Sequence, residues 1–341
     1  MTGASSLTRD QADQLARAAL PEFGFSSDAR VEFVKHRENH TYKVTCPERG
    51  EAALRLHRRG YRGDAEISSE MRWIRLLSER GVSVPSMRLS ADDTPFAVLR
   101  LGEIEQRVSA QEWLADARAV GDVVEWWDGT ADPGSALLHT MGGLAADLHL
   151  VAEGVGTPAW FRRAAWDADG LAGEAPAWGR PERLTTLSDD DRRLFAVTRA
   201  RVRAELTALP RDPRRYGIIH ADITPENVLA RGDDHVVIDF DDFGAGWFAF
   251  DLATIVWWLS HRPDCRELTR ALLDGYTARR PLDAQDRAAL EPLVVARALS
   301  YLGWAADRPG DPASEWISQT VAPWARTVCE AHLDVRPQPW H

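Results

Sequence analysis

The residues with chemistry to offer are concentrated between Tyr216 and Asp251, YGIIHADITPENVLARGDDHVVIDFDDFGAGWFAFD. Asp222 supplies a carboxylate, Asn227 an amide five residues later, and Asp239 a second carboxylate beyond a polar turn. Oxygen ligands of this hardness suit Mg²⁺ if the chain folds them onto one point. His220, Asp241 and Asp242 widen the options, because His together with carboxylates also binds the catalytic metals of hydrolases. Phosphoryl transfer and metal-dependent hydrolysis both stand as readings of the cluster.

Short apolar runs must position these groups. Gly217-Ile218-Ile219, Val228-Leu229-Ala230 and Val236-Val237-Ile238 read as strands, and the turn Arg231-Gly232-Asp233-Asp234 predicts a hairpin. The polar residues then belong at strand ends and in a loop.

The order His-x-Asp-x4-Asn, a strand, then Asp-Phe-x is that of the protein kinases, which use a base Asp, a metal-binding Asn and a metal-binding Asp in turn. Here His-Arg-Asp is replaced by His220-Ala221-Asp222, and Asp-Phe-Gly by Asp239-Phe240-Asp241, with Asp242 and a delayed Gly244 following. With these variations the stretch resembles the aminoglycoside phosphotransferase family, the kinase-like group that includes choline kinases and type II homoserine kinases. Phe250-Asp251-Leu252-Ala253 agrees with the Asp-Leu-Ala that opens the next helix in that family. The resemblance implies that Asp222 accepts the proton of a substrate hydroxyl and that Asn227 and Asp239 hold Mg²⁺. It also implies that His220 orients the loop and that Asp241 assists the metal or ties the loop.

Upstream, a helix over 8–20 precedes three short strands, VEFVKH, TYKVTC and EAALRLH, which predict an antiparallel meander. The break Arg37-Glu38-Asn39-His40 is where a kinase-like fold covers the nucleotide phosphates, so Asn39 and His40 are candidate nucleotide contacts. It lacks Gly-x-Gly-x-x-Gly, but Glu38 to Val44 resembles the Asn-x-x-Tyr-Arg-Val form of the phosphotransferase family. Arg55, centred in the third strand, is the candidate cation for the α and β phosphates and can pair bidentately with their oxygens. The helix over 64–80 has an apolar face through Ile67, Met71, Ile74 and Leu77; Glu70 beside it is the expected partner of Arg55, with Glu66 in reserve.

Strands over 96–101 and 105–112 complete a five-stranded sheet, and Glu112-Trp113 ends it at a hinge whose backbone hydrogen-bonds adenine in the resembled family. Helices are predicted over 136–151, 188–209, 251–260, 265–276, 284–305 and 313–333. His149 reads as a packed histidine. The insert 152–190 carries Trp160, Trp166 and Trp178, expected to anchor it rather than to line a pocket.

At 341 residues, two lobes are expected. The formal charge of −11 argues against a nucleic-acid partner and is compatible with a cationic acceptor, for which Asp242 is the nearest candidate acid. Three unpaired-looking cysteines, an N-terminus without a signal-peptide core and no span of membrane length predict a cytoplasmic protein. The expected fold is α+β and bilobal, protein-kinase-like, with a five-stranded antiparallel N-lobe over 1–115 and a mostly helical C-lobe over 116–341. The expected function is Mg²⁺-dependent transfer from ATP, or alternatively GTP, to the hydroxyl of an amino alcohol, amino sugar or antibiotic. A protein Ser/Thr kinase, a phosphohydrolase and a non-catalytic nucleotide binder are the alternatives.

Overall fold

The computed structural model describes residues 7–36 and 39–341; Arg37 and Glu38, in the first predicted break, lie outside the described residues. The chain divides into two units. One comprises Met1–Arg118, Ala159–Arg162 and Ala230–Asp241, the other Ala119–Pro158, Arg163–Leu229 and Asp242–His341.

In the first unit, α1 (Arg9–Ala18) begins at a capping box in which Thr8 and Gln11 each bond the other's backbone. The strands β1 (Arg30–His36), β2 (His40–Cys46) and β3 (Gly50–Leu56) form the meander. Helix α2 (Asp64–Glu79) and the strands β4 (Met87–Arg88), β5 (Ala97–Leu101) and β6 (Ile104–Glu112) follow. The sheet order is β1-β2-β3-β6-β4 with β5 on β6, which makes six strands instead of the five expected. The extra strand is β4, whose two residues are too few to show an alternation.

Strand alternation decides which side chains can do chemistry. His40, Tyr42, Val44 and Cys46 on β2, and Ala52, Leu54 and Leu56 on β3, are buried. The apolar ones join Ala12, Leu15 and Ala16 of α1 in a core. Arg55, opposite Thr41 in the pairing register, leaves by the other face, toward α2.

The second unit starts in β7 (Arg118–Ala119) and continues through α3 (Val123–Asp128), α4 (Gly134–Val155), β8 (Ala165–Trp166), α5 (Ala168–Ala172) and α6 (Asp189–Ala208). Next in the chain come β9 (Tyr216–Ile219), the hairpin of β10 (Val228–Arg231) and β11 (Asp234–Val237), which from Ala230 onward belongs to the first unit, and then β12 (Gly244–Trp247) in the second. The helices α7 (Phe248–Leu259), α8 (Cys265–Thr277), α9 (Ala284–Ala306), α10 (Pro312–Trp316) and α11 (Ala322–Leu333) end the fold. The run at 217–219 pairs with β12, and on its far side β12 pairs with β8. Gly244-Ala245-Gly246-Trp247 has no β-branched residue, so sequence pattern does not announce it. The helix expected over 313–333 is interrupted by a π-helical turn at Ile317–Val321, next to Pro323, which has no N–H to continue the ladder.

Helices α4 and α8 approach until only glycine fits. A Cβ on Gly275 would come to 1.9 Å from the His139 carbonyl oxygen, and one on Gly142 to 2.0 Å from that of Leu272. Among the described residues no helix is long and apolar enough to cross a membrane, and Cys46, Cys265 and Cys329 are buried and free.

Candidate active site

In the first unit the site is built on Arg55, which is 12% exposed. Its Nη1 lies 2.5 Å from Oε1 of Glu70, a fully buried acid on α2. Its Nη2 lies 3.1 Å from Asp241 Oδ1 and 3.3 Å from Asp239 Oδ1. Burial works against the guanidinium charge, but Glu70, Asp241 and Asp239 outweigh it and hold the pKa above its ordinary value. Glu66, one turn earlier, instead accepts the Gly63 N–H at 3.0 Å.

Asp239 follows β11, and Ser83 fixes that strand: its hydroxyl donates to the His235 carbonyl at 2.6 Å and its own carbonyl accepts the Val237 N–H at 2.9 Å. Asp239 has a φ of 64°, in the left-handed region that non-glycine residues seldom adopt. Its carboxylate is 39% exposed against 11% for Asp241. The unit thus offers a guanidinium fork for phosphate oxygens and an accessible hard-oxygen ligand.

In the second unit the candidate loop leaves β9 at His220 and is held from beneath by Asp251, the lone charge of apolar α7. Asp251 Oδ2 accepts the His220 N–H at 3.0 Å and Oδ1 accepts the Ala221 N–H at 2.7 Å. Ala221 is left-handed too, with φ 67°, so these two bonds secure a turn that is costly by itself. His149 Nε2 lies 3.0 Å from Asp251 Oδ2, and its Nδ1 lies 3.0 Å from the Tyr276 hydroxyl. Burial pushes the His149 pKa down, so the ring is neutral. Its Nε2–H then donates to Asp251 and its Nδ1 accepts from Tyr276. Burial alone would raise the Asp251 carboxyl, but the hydrogen bonds from His149 and from the His220 N–H hold it below the usual range. The tight packing of α4 on α8 is what brings Tyr276 to His149. His220 is buried, and its Nδ1 accepts the N–H of Asp222 at 3.2 Å.

Asp222 is 23% exposed. Its Oδ2 accepts from Asn227 Nδ2 at 3.3 Å, and the same Nδ2 donates to the Asp222 carbonyl at 2.9 Å. That directs the Asn227 amide oxygen away from Asp222, where it can serve as an oxygen ligand. Asp222 Oδ1 is paired with Arg297 Nη2 of α9 and accepts the Tyr301 hydroxyl at 3.1 Å. The insert adds Trp178, with its ring 4.3 Å from Arg297 Cζ and its Nε1 donating to Asp242 Oδ1 at 3.3 Å. Trp166 Nε1 donates to the Asp242 carbonyl at 2.7 Å, so both tryptophans tie the insert to this unit.

Other expected contacts are engaged elsewhere. Asn39 Oδ1 accepts the Arg58 N–H at 2.8 Å, tying two strand ends. His40 lies on the sheet face opposite Arg55, stacked on His36 at 3.7 Å, and burial pushes its pKa down to about 4. Glu112 accepts the Ser86 hydroxyl at 2.9 Å, and the Trp113 ring lies 5.2 Å from Lys43 Nζ. No group of three or more His, Cys, Asp or Glu side chains placed to hold a metal occurs among the described residues. Asp241 lies against Arg55, and Asp242 accepts from Trp178.

Arg297 and Tyr301 were not anticipated, nor was the bracing by Asp251. Arg297 and Asp251 share one sequence signal: each is a lone charge inside an otherwise apolar helical run.

Residues 30–293 match the model of the phosphotransferase enzyme family. A protein of uncharacterised function from Deinococcus radiodurans is 33% identical over 311 residues, covering 89% of this chain and 85% of that protein. Amicoumacin kinase of Bacillus subtilis is 24% identical over 260 residues, covering 72% of this chain and 67% of that enzyme. Among solved structures, a microcompartment-associated aminopropanol kinase superposes with a TM-score of 0.81 at 28% identity, covering 95% of this chain and 98% of that one.

Proposed function

The chain belongs to the phosphotransferase enzyme family, and from that premise we propose that it transfers the γ-phosphoryl group of ATP to a hydroxyl of a small molecule. The observation that carries the reading is Arg55, buried, charged and clamped by Glu70, with Asp239 and Asp241 against its free edge. A guanidinium so restrained is suited to phosphate oxygens, because its planar fork loses little further freedom on binding them.

We assign the proton-accepting role to Asp222 and the shaping of its loop to His220. Asp239 and Asn227 each present a hard oxygen, and Asp241 a further one, a donor chemistry that fits Mg²⁺. When bound, Mg²⁺ supplies charge neutralisation on the β and γ phosphates. The chain's own contribution is to hold the acceptor hydroxyl against Asp222 and to keep that carboxylate in one orientation. The aminopropanol kinase likeness supports an amino alcohol as the acceptor, one carrying an amine as well as the reacting hydroxyl.

The test is turnover of ATP, and separately of GTP, against a panel of amino alcohols, hydroxylated amino acids and aminoglycosides, with and without chelator. Chelation and Asp239→Ala should each abolish turnover, and Asp222→Asn should lower kcat about a hundredfold or more. Undiminished transfer by Asp239→Ala would sink the assignment. An acceptor held by its amine should show a KM that rises with ionic strength.

A further inference from the structure

Arg297 is wholly buried in α9, and its Cζ lies 4.2 Å from the Tyr301 ring, 4.3 Å from Trp178 and 5.5 Å from Phe250. Three aromatic rings at such distances form the kind of cage that proteins build around a ligand's cation. Here a side chain of the protein fills it. Arg297 Nε and Nη1 are buried without a hydrogen-bond partner among the described residues. The directed hydrogen bonds of this guanidinium are therefore at Nη2, to Asp222 and to the Tyr301 hydroxyl.

The Tyr301 hydroxyl accepts from Arg297 Nη2 at 2.7 Å and from Trp258 Nε1 at 3.0 Å. Both lone pairs are then taken, and its one proton is committed to Asp222 Oδ1 at 3.1 Å. Oδ1 is saturated by two donors. Among the described residues Oδ2 meets only the shared Asn227 amide, at 3.3 Å, and is the oxygen left to receive a proton.

Resting on the reading of Asp222 as base, we infer that Arg297 is a positioning and specificity residue. It locks Asp222 through Oδ1, so that Oδ2 faces the acceptor hydroxyl. It also occupies the Trp178–Tyr301–Phe250 cage, so that the acceptor's own positive charge is held elsewhere.

The experiment uses the full chain and its variants Arg297→Ala, Arg297→Lys, Tyr301→Phe and Asp222→Asn. MgATP turnover is measured with water, 1-amino-2-propanol and L-homoserine as acceptor probes, and melting temperature is followed with methylguanidinium, tetramethylammonium or sodium chloride at equal ionic strength. Arg297→Ala should lower kcat about a hundredfold while the ATP KM stays unchanged, because it frees the base to move. Methylguanidinium should restore part of that turnover. Tetramethylammonium, which has the charge but no N–H donor for Asp222, should not. Both should raise the melting temperature of Arg297→Ala relative to sodium, and neither that of the unmodified chain.

Wild-type kcat in Arg297→Ala, or methylguanidinium acting no differently from sodium on both readouts, overturns the inference. Should turnover with these probes be too slow to measure, the melting comparison alone decides the cage. Should Arg297→Ala fail to fold, Tyr301→Phe, which removes a single donor to Oδ1, should lower kcat about tenfold, the equivalent of one modest hydrogen bond to a charged group. An unchanged kcat there also overturns the inference. Loss of activity in Asp222→Asn beside full activity in Arg297→Ala would refute the clamp alone, whereas full activity in Asp222→Asn would refute the base on which it rests.

Discussion

Replacing Asp251 by Asn tests whether a buried carboxylate outside the reacting groups holds the candidate loop together. Asp251 receives the N–H groups of His220 and Ala221 and the Nε2–H of His149, at 3.0, 2.7 and 3.0 Å. Asn keeps one acceptor oxygen and turns an NH₂ toward the other donors, so at least one buried N–H loses its partner. A bond to a charged group contributes about 1.5–3 kcal/mol, and stranding its donor adds a similar penalty, so Asp251→Asn should cost about 3 kcal/mol. The left-handed Ala221 turn, itself worth about 1–2 kcal/mol of strain, then relaxes. That carries Asp222 out of place, and a shift of about 1 Å is enough to lower kcat about a hundredfold. Denaturant unfolding followed by tryptophan fluorescence reads the first number and phosphoryl transfer the second. His149→Phe, which spares both backbone bonds, should lose stability but retain more of the activity. An Asp251→Asn protein within about 1 kcal/mol and a few-fold of the parent would refute the bracing.

Glu70→Gln should raise the nucleotide KM and lower stability by about 3 kcal/mol, because it removes the charge that a buried Arg55 leans on; an unchanged nucleotide KM would separate the pair from phosphate binding. The neutral His40 gives an acid-side prediction. The unfolded chain takes up its proton near the ordinary histidine value of about 6.5, the folded one only near about 4, so stability is full above the first value and falls as pH drops toward the second. Allowing for the solvent that reaches the ring, the loss is about 1–2 kcal/mol, and His40→Phe should flatten the stability profile between pH 4 and 6.5 in urea titrations.

Local pattern was enough for several elements and for the motif itself. The apolar spacing of Ile67, Met71, Ile74 and Leu77 specifies α2 and leaves Glu70 at the edge of its buried face. Ser188 before three aspartates marks the start of α6, where its hydroxyl accepts the Asp191 N–H at 3.1 Å. The resemblance to the family is carried by the order and spacing of His220, Asp222, Asn227 and Asp239, and residues 30–293 match the family model.

What periodicity cannot report is which element covers a given face. His40 and Arg55 are both plausible phosphate contacts by position in the meander, and only the register, with His40 opposite Leu56 and Arg55 opposite Thr41, puts them on opposite faces of the sheet. Strand β9 could not be matched to β12 because three of the four residues of Gly244-Ala245-Gly246-Trp247 are poor strand formers and the strand is held by its neighbours. The partners of Asp222 were least legible of all. Arg297 and Tyr301 share one helix face, four residues apart, but they meet a loop far away in the chain. A lone arginine among leucines and valines signals that some buried acid must answer it; which acid, and with what geometry, is decided by the packing of α9, α7 and the insert around Asp222.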